Sequence, residues 1–177
     1  MEIKQYLTPL ERDALAEIFN ISLGGAAKLM SEMISDEILL SVPNLELITP
    51  EEMCKFSSLQ QSEICSIEQK FSGGLGAGMA LLLFQKESSL KIIQMMMKDY
   101  ATMDDVSHFE KDALSEIGNI ILTSVLSTLA NLAHRDIETQ IPEFFVGKYE
   151  SLIQASLDRK KKKIPFYWYA SITKSKD

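Results

Sequence analysis

One stretch of this 177-residue chain occurs twice. Glu11-Arg12-Asp13-Ala14-Leu15-Ala16-Glu17-Ile18-Phe19-Asn20-Ile21 returns as Glu110-Lys111-Asp112-Ala113-Leu114-Ser115-Glu116-Ile117-Gly118-Asn119-Ile120, with eight of eleven positions identical and a constant offset of 99 residues. The register holds outside the match, where Thr8 falls on Ser107 and Pro43 on Pro142. Two copies at so long a period indicate a duplicated half-domain, since a solenoid stacks several shorter repeats. The chain is long enough for one core and short for two, so residues 1–177 read as a single domain of two half-repeats, about 8–103 and 107–177.

Each copy opens like a helix. Thr8 is a good N-cap, Pro9 suits the first helical position, and Glu11 completes a capping box that Ser107 and Glu110 repeat. The first long helix is expected from Pro9 to about Ile34, with an apolar stripe through Leu15, Ile18, Ile21, Leu29 and Met33. The second is expected from His108 to about His134. Gly24-Gly25 interrupts good helix formers at about 1 kcal/mol per glycine, which suggests close approach of another backbone. Glu37–Pro43 and Leu45–Ile48 read as strands, as do Ile64–Phe71 and Ala77–Phe84, joined by a turn at Ser72–Gly76. Ser88-Ser89 caps a helix from Leu90 to about Tyr100, and Asp104-Asp105 marks the joint between the halves. The second half then repeats a strand from Ile137 through Pro142 to Val146, adds a short helix at Tyr149–Leu157, and ends on an aromatic strand, Ile164–Ile172. It lacks the last strand and helix of the first half. The fold class is therefore α/β of the α+β kind: two long related helices on an antiparallel sheet, with pseudo-two-fold symmetry and a truncated second half.

At about 100° per residue, Asp13, Glu17, Asn20 and Gly24 share one polar stripe of the first helix. Asp112, Glu116, Asn119 and Thr123 share the matching stripe of the second. Exposed Glu and Asn drift at little energetic cost, and asparagine is a mediocre helix former. Yet both stay while their neighbours change (Arg12/Lys111, Ala16/Ser115, Phe19/Gly118). A rigid helix face that keeps a carboxylate and an amide three residues apart, twice, points to a site.

Asp-x-x-x-Glu-x-x-Asn followed after twenty-two residues by Pro is present as Asp13, Glu17, Asn20 and Pro43, and again as Asp112, Glu116, Asn119 and Pro142. In this the chain resembles the CheC/CheX/FliY family of bacterial chemotaxis phosphatases, and CheC in its paired motifs. The resemblance covers most of the chain and implies dephosphorylation of a phosphorylated CheY-type response regulator. It implies that Asn20 and Asn119 orient the attacking water, that Glu17 and Glu116 pair with a lysine of the receiver, and that Asp13, Gly24, Asp112 and Thr123 line the docking face. The chain would bind no cofactor or metal itself; Mg²⁺ belongs to the receiver substrate. Phe19, where the second copy has Gly118, is expected to crowd a docking receiver, which favours the second helix. Gly24-Gly25 against Thr123-Ser124 argues the other way for close approach. The short second half argues against binding of the receptor deamidase CheD. The N-terminus shows no switch-binding peptide of the FliY kind.

Two other readings compete. A catalytically silent module would dock receivers or regulate a signalling partner, and a scaffold would form a homodimer through the edge of Ile164–Ile172. The net charge of −7 disfavours nucleic acid. No apolar run approaches the ~20 residues of a membrane span, and no signal peptide is visible, so a cytoplasmic protein without membrane insertion is expected. Cys54, Cys65, His108 and His134 have no metal-ligand spacing, and the thiols are expected free. Ser72–Gly78 leads into a strand rather than a helix, which fits a hairpin and not a phosphate loop. Arg159–Lys163 reads as a solvated loop, Met95–Met97 as core, and His134 as a helix-end residue.

Overall fold

Thr8 starts the first helix through its side chain. Its Oγ accepts from the Glu11 backbone N–H at 3.3 Å, while Glu11 Oε2 accepts from the Thr8 backbone N–H at 2.8 Å, which closes the expected capping box. The computed structural model describes residues 7–35, 37–48, 52–53, 63–97, 103–158 and 167–174. In chain order the elements are α1 (Pro9–Ile34), β1 (Leu40–Ile48), β2 (Glu63–Gly73), β3 (Gly78–Gln85), α2 (Lys86–Met97), α3 (Met103–Leu132), β4 (Ile137–Thr139), β5 (Glu143–Lys148), α4 (Tyr149–Asp158) and β6 (Tyr167–Lys174). Arg159–Lys163, Ile164–Phe166, Cys54, Lys98–Tyr100 and the side chains of Met95–Met97 and His108 lie outside the described residues.

The architecture is mixed helix and antiparallel sheet, as expected, but the strands form two sheets rather than one. β2 is the hub of the larger. It pairs with β3 from Ile64↔Gln85 to Phe71↔Gly78 on one side. On the other side it pairs with β5 from Glu63↔Lys148 to Glu68↔Glu143, and with β4 from Phe71↔Thr139 to Gly73↔Ile137. β1 pairs with β6 in a separate two-stranded sheet. The edge expected to be free at Ile164–Ile172 is thus taken on one side, from Tyr167 onward, by β1. The two ladders mirror each other: β5 occupies the sequence position that corresponds to β1, so in each ladder a strand from one half pairs with a strand from the other.

Proline marks an irregularity in two of the strands. β1 is continuous where two strands were expected, with a register shift between Ser41 and Asn44 around Pro43. The strand expected from Ile137 to Val146 is split into β4 and β5 at Gln140–Pro142. Proline has no N–H to give a ladder, so the chain leaves regular pairing there. The hairpin at Ser72–Gly76 stands, with Gly73 at φ 132 and Gly76 at φ 92, a region that glycine enters at no steric cost.

The second long helix does not start as its sequence suggests. α3 begins at Met103, so Ser107 is helical and Asp104-Asp105 open the helix instead of marking a joint. No proline stops backward extension, as Pro9 does in α1. Glu110, released from capping, accepts instead from Cys65 Sγ at 3.5 Å and lies 3.3 Å from Ser89 Oγ. α2 likewise starts before its expected Ser88-Ser89 cap, and the buried Ser89 hydroxyl donates to the Lys86 carbonyl. Both long helices end on a left-handed residue, Ser35 at φ 54 and His134 at φ 50, and those positions again differ by the repeat offset.

α1 and α3 cross at small residues. Ser124 Oγ donates to the Ser22 carbonyl at 2.6 Å, and a methyl group on Gly25 would lie 3.4 Å from that Oγ. Gly25 and Ser124 are the same position of the repeat. The crossing selects the buried face of α1: Ser22, Leu23, Ala26, Ala27 and Met30 are buried, whereas Ile21, Leu29 and Met33 are 61%, 50% and 44% exposed. The expected apolar stripe is wrong in those three residues, because bulky side chains at the seam would hold the helices apart. Leu114, Ile117, Ile121 and Leu122 of α3 complete the core with Cys65 and Ile67 of β2. By length and composition, Phe109–Leu132 could cross a bilayer, contrary to the expected absence of such a run. Leu114, Ile117, Ile121, Leu122, Leu126 and Ala130 of that span are buried in the core.

Candidate active site

The two polar stripes lie where helical periodicity puts them. Asp13, Glu17 and Gly24 on α1 are exposed, as are Asp112 and Glu116 on α3. Asn20, Asn119 and Thr123 are half-buried. The ion pairs Lys70–Glu143 and Lys86–Glu63 lie elsewhere and leave the motif carboxylates facing outward. Each helix therefore presents a carboxylate one turn before an amide, the carboxylate in solvent and the amide seated in the helix flank.

The residue before each asparagine turns inward. Phe19 packs against the core cluster, and Gly118 is buried against β2, where an added methyl would sit 2.6 Å from Ile67 Cγ2. The Phe19/Gly118 difference therefore concerns at least how each helix seats on the interior, where Phe19 is partly buried. Gly24 behaves in the opposite way. A methyl there would meet nothing within 4 Å, so no neighbour in this fold requires the glycine.

Asn119 is held by its surroundings. Its Oδ1 accepts from Thr123 Oγ1 at 3.2 Å, one turn along α3, and from Gln69 Nε2 at 3.5 Å, across from β2. Gln69 Nε2 also lies 3.4 Å from Thr123 Oγ1 and 3.3 Å from the Gln140 carbonyl, so its two N–H groups are shared among three acceptors. Gln140 lies in the break between β4 and β5, two residues before the motif Pro142, and its N–H donates to the Lys70 carbonyl. The segment that carries the motif proline thus reaches the motif asparagine through one buried glutamine. Asn20 is also engaged by a neighbour, but glycine at position 24 supplies no counterpart of the Thr123 hydroxyl.

Sequence reasoning missed Gln69. A signal was present: Cys65, Ile67 and Gln69 alternate on one face of β2, and a glutamine on an otherwise apolar face is the unusual observation. Nearby, the Cys65 thiol is free and buried, and burial together with the Glu110 carboxylate pushes its pKa up to about 11. It is inert as a nucleophile at neutral pH. Among the described residues no three His, Cys, Asp or Glu side chains converge as a metal site.

A profile of the family described as chemotaxis phosphatase CheX matches residues 64–166, more than half of the chain and all of the second motif. The profile of the CheC-like family matches residues 10–47, which hold the first motif. CheY-P phosphatase CheC of Bacillus subtilis (strain 168) is 26% identical over 151 residues, covering 83% of this chain and 71% of that protein. The flagellar motor switch phosphatase FliY of the same organism is 23% identical over 137 residues; the match takes in 77% of this chain and only 35% of FliY. In fold, the chain is similar to the crystal structure of Thermotoga maritima FliY, with a TM-score of 0.68, 21% identity, and 96% of this chain and 89% of that chain covered. It is also similar to CheX from Vibrio vulnificus, with a TM-score of 0.53, 20% identity, and 75% and 80% covered. With both motif copies matched by family profiles and set on two long packed helices, this chain belongs to the CheC/CheX/FliY family of chemotaxis phosphatases.

Proposed function

We propose that this chain removes the phosphoryl group from the aspartyl phosphate of a CheY-type response regulator. The receiver supplies the acyl phosphate and its Mg²⁺. An outward-facing motif helix docks at that site, and Glu116 or Glu17 pairs with a lysine of the receiver. The amide of Asn119 or Asn20 then holds a water in line with the phosphorus. As the water oxygen bonds to phosphorus, the bond to the aspartate oxygen breaks, leaving a free carboxylate and inorganic phosphate. Phosphoryl transfer needs chiefly position and charge neutralisation, and an amide positions water without titrating.

The observation that carries this reading is the pairing of an exposed carboxylate with a seated amide on each rigid helix face, in a family whose members are phosphatases of this kind. Gly24 adds support. Its helix-propensity cost is of order 1 kcal/mol, and open space around it means the benefit lies with an approaching partner.

The test is phosphate release from an acetyl-phosphate-charged receiver in the presence of wild type, Asn20→Ala, Asn119→Ala and the double variant. Wild type is expected to accelerate release and the double variant to bind the receiver without accelerating it. A wild type that binds charged receivers yet never speeds their hydrolysis would overturn the reading and leave a docking module.

A further inference from the structure

The Asn119 amide sits in a hydrogen-bond network with Gln69 and Thr123. The Gln140 backbone carbonyl can only accept a hydrogen bond. Gln69 Nε2 lies 3.3 Å from it, so the NH₂ end of Gln69, and not its oxygen, must face that side. The same nitrogen lies 3.5 Å from the Asn119 amide and 3.4 Å from Thr123 Oγ1. A donor there demands an acceptor, so Asn119 must turn its oxygen inward. One Gln69 N–H serves the Gln140 carbonyl and the other is shared between Asn119 Oδ1 and Thr123 Oγ1, while the Thr123 hydroxyl gives its own proton to the same Oδ1 at 3.2 Å. With two donors on that oxygen, the NH₂ of Asn119 is left to face outward.

We infer that Gln69 is a positioning residue of the α3 site: with Thr123 it orients Asn119 so that the group offered to the receiver is the Nδ2 donor. This rests on the phosphatase reading and names the atom that does the work. The attacking water would accept from Nδ2 through one lone pair, which aims the other at phosphorus.

The local energetics fit a role other than stability. Gln69 is 1% exposed, and its Oε1 is buried with no hydrogen-bond partner among the described residues. A buried unpartnered acceptor destabilises a fold. A methionine of similar volume would fill the same space without that acceptor, on a strand face already shared with Cys65 and Ile67. On α1, Gly24 stands where Thr123 does, so this mode of holding belongs to α3.

Two measurements test the inference. The first needs no activity: hydrogen exchange of side-chain amides, followed by NMR on the whole chain. The Gln69 NH₂ is expected to be protected and the Asn119 NH₂ to exchange freely. A protected Asn119 NH₂ would mean that its oxygen faces out and would overturn the assignment, whatever the fate of the phosphatase reading. The second compares Gln69→Met with its parent in an Asn20→Ala background, by receiver titration and phosphate release. The expected result is a loss of roughly ten- to a hundred-fold in kcat, as a misplaced positioning group produces, with receiver affinity and melting temperature held or raised. An unchanged kcat, or a loss confined to affinity, would show that Gln69 is only packing.

Discussion

Gly118→Ala is the substitution whose cost the structure fixes most closely. A methyl group on Gly118 would sit 2.6 Å from Ile67 Cγ2 and 2.9 Å from Ile67 Cβ and Cδ1. Carbon atoms prefer about 3.5–4.0 Å, so α3 and β2 would have to part by about 1 Å. Ile67 is fully buried and one of its clashing atoms is Cβ, so no rotamer change relieves the contact. Overpacking of this kind costs about 1–3 kcal/mol, and the upper end applies. Alanine returns about 1 kcal/mol of helix propensity, leaving a net loss of about 2 kcal/mol. For a chain of this size that corresponds to a fall of about 4–8 °C in melting temperature. Urea denaturation of Gly118→Ala, Ile67→Ala and the double variant measures it. The Gly118→Ala cost is expected to shrink in the Ile67→Ala background, where Cγ2 and Cδ1 are gone. Gly24→Ala is the internal control: with nothing within 4 Å, it should stabilise by roughly 0.5–1 kcal/mol. Should Gly118→Ala prove as stable as Gly24→Ala, the close approach of α3 to β2 at this point is wrong.

Two further outcomes concern the helix start and the buried thiol. Thr8→Ala removes an N-cap and should cost about 1 kcal/mol in denaturation. The Glu11 carboxyl is held below its usual value of 4.5 by hydrogen bonds from the Thr8 backbone and side chain, so its stabilising effect is present above that value and fades as pH falls through the lower, folded one. A stability difference between wild type and Glu11→Gln that persists unchanged into strong acid would contradict the capping box. The Cys65 thiol, raised from 9.0 to about 11 chiefly by burial, contributes stability that is whole below pH 9 and lost as pH rises toward 11. Wild type should therefore weaken more than Cys65→Ala over that window, and native Cys65 should resist alkylation at pH 8 until the chain unfolds. Rapid labelling of Cys65 in the native state would show that β2 is not sealed beneath α2 and α3.

The repeated segment by itself established the two long helices, the residues of their polar stripes and the family. These follow from local rules: a capping box needs only Thr8 and Glu11, and the stripe Asp13–Glu17–Asn20 needs only the pitch of a helix. Periodicity could not choose between the rival apolar faces of α1. Ile21, Leu29 and Met33 form as good a stripe as Leu23, Ala26 and Met30, and the second was buried because its small neighbours Ser22 and Gly25 let α3 come close. Nor could matching copies reveal that Ser107 and Glu110 would not cap, since that depended on what preceded them and on where Cys65 and Ser89 lay. The meaning of Phe19 against Gly118 was inaccessible for the same reason: a face becomes inner or outer only once a sheet is packed on it. Gln69 and Asn119 are 50 residues apart. Their meeting depends on β2 running along α3, and on Pro142 ending a ladder so that the Gln140 carbonyl is free to turn toward a buried amide. The sequence placed an asparagine on a helix face; only the packing of that helix against β2 decided which end of its amide looks out.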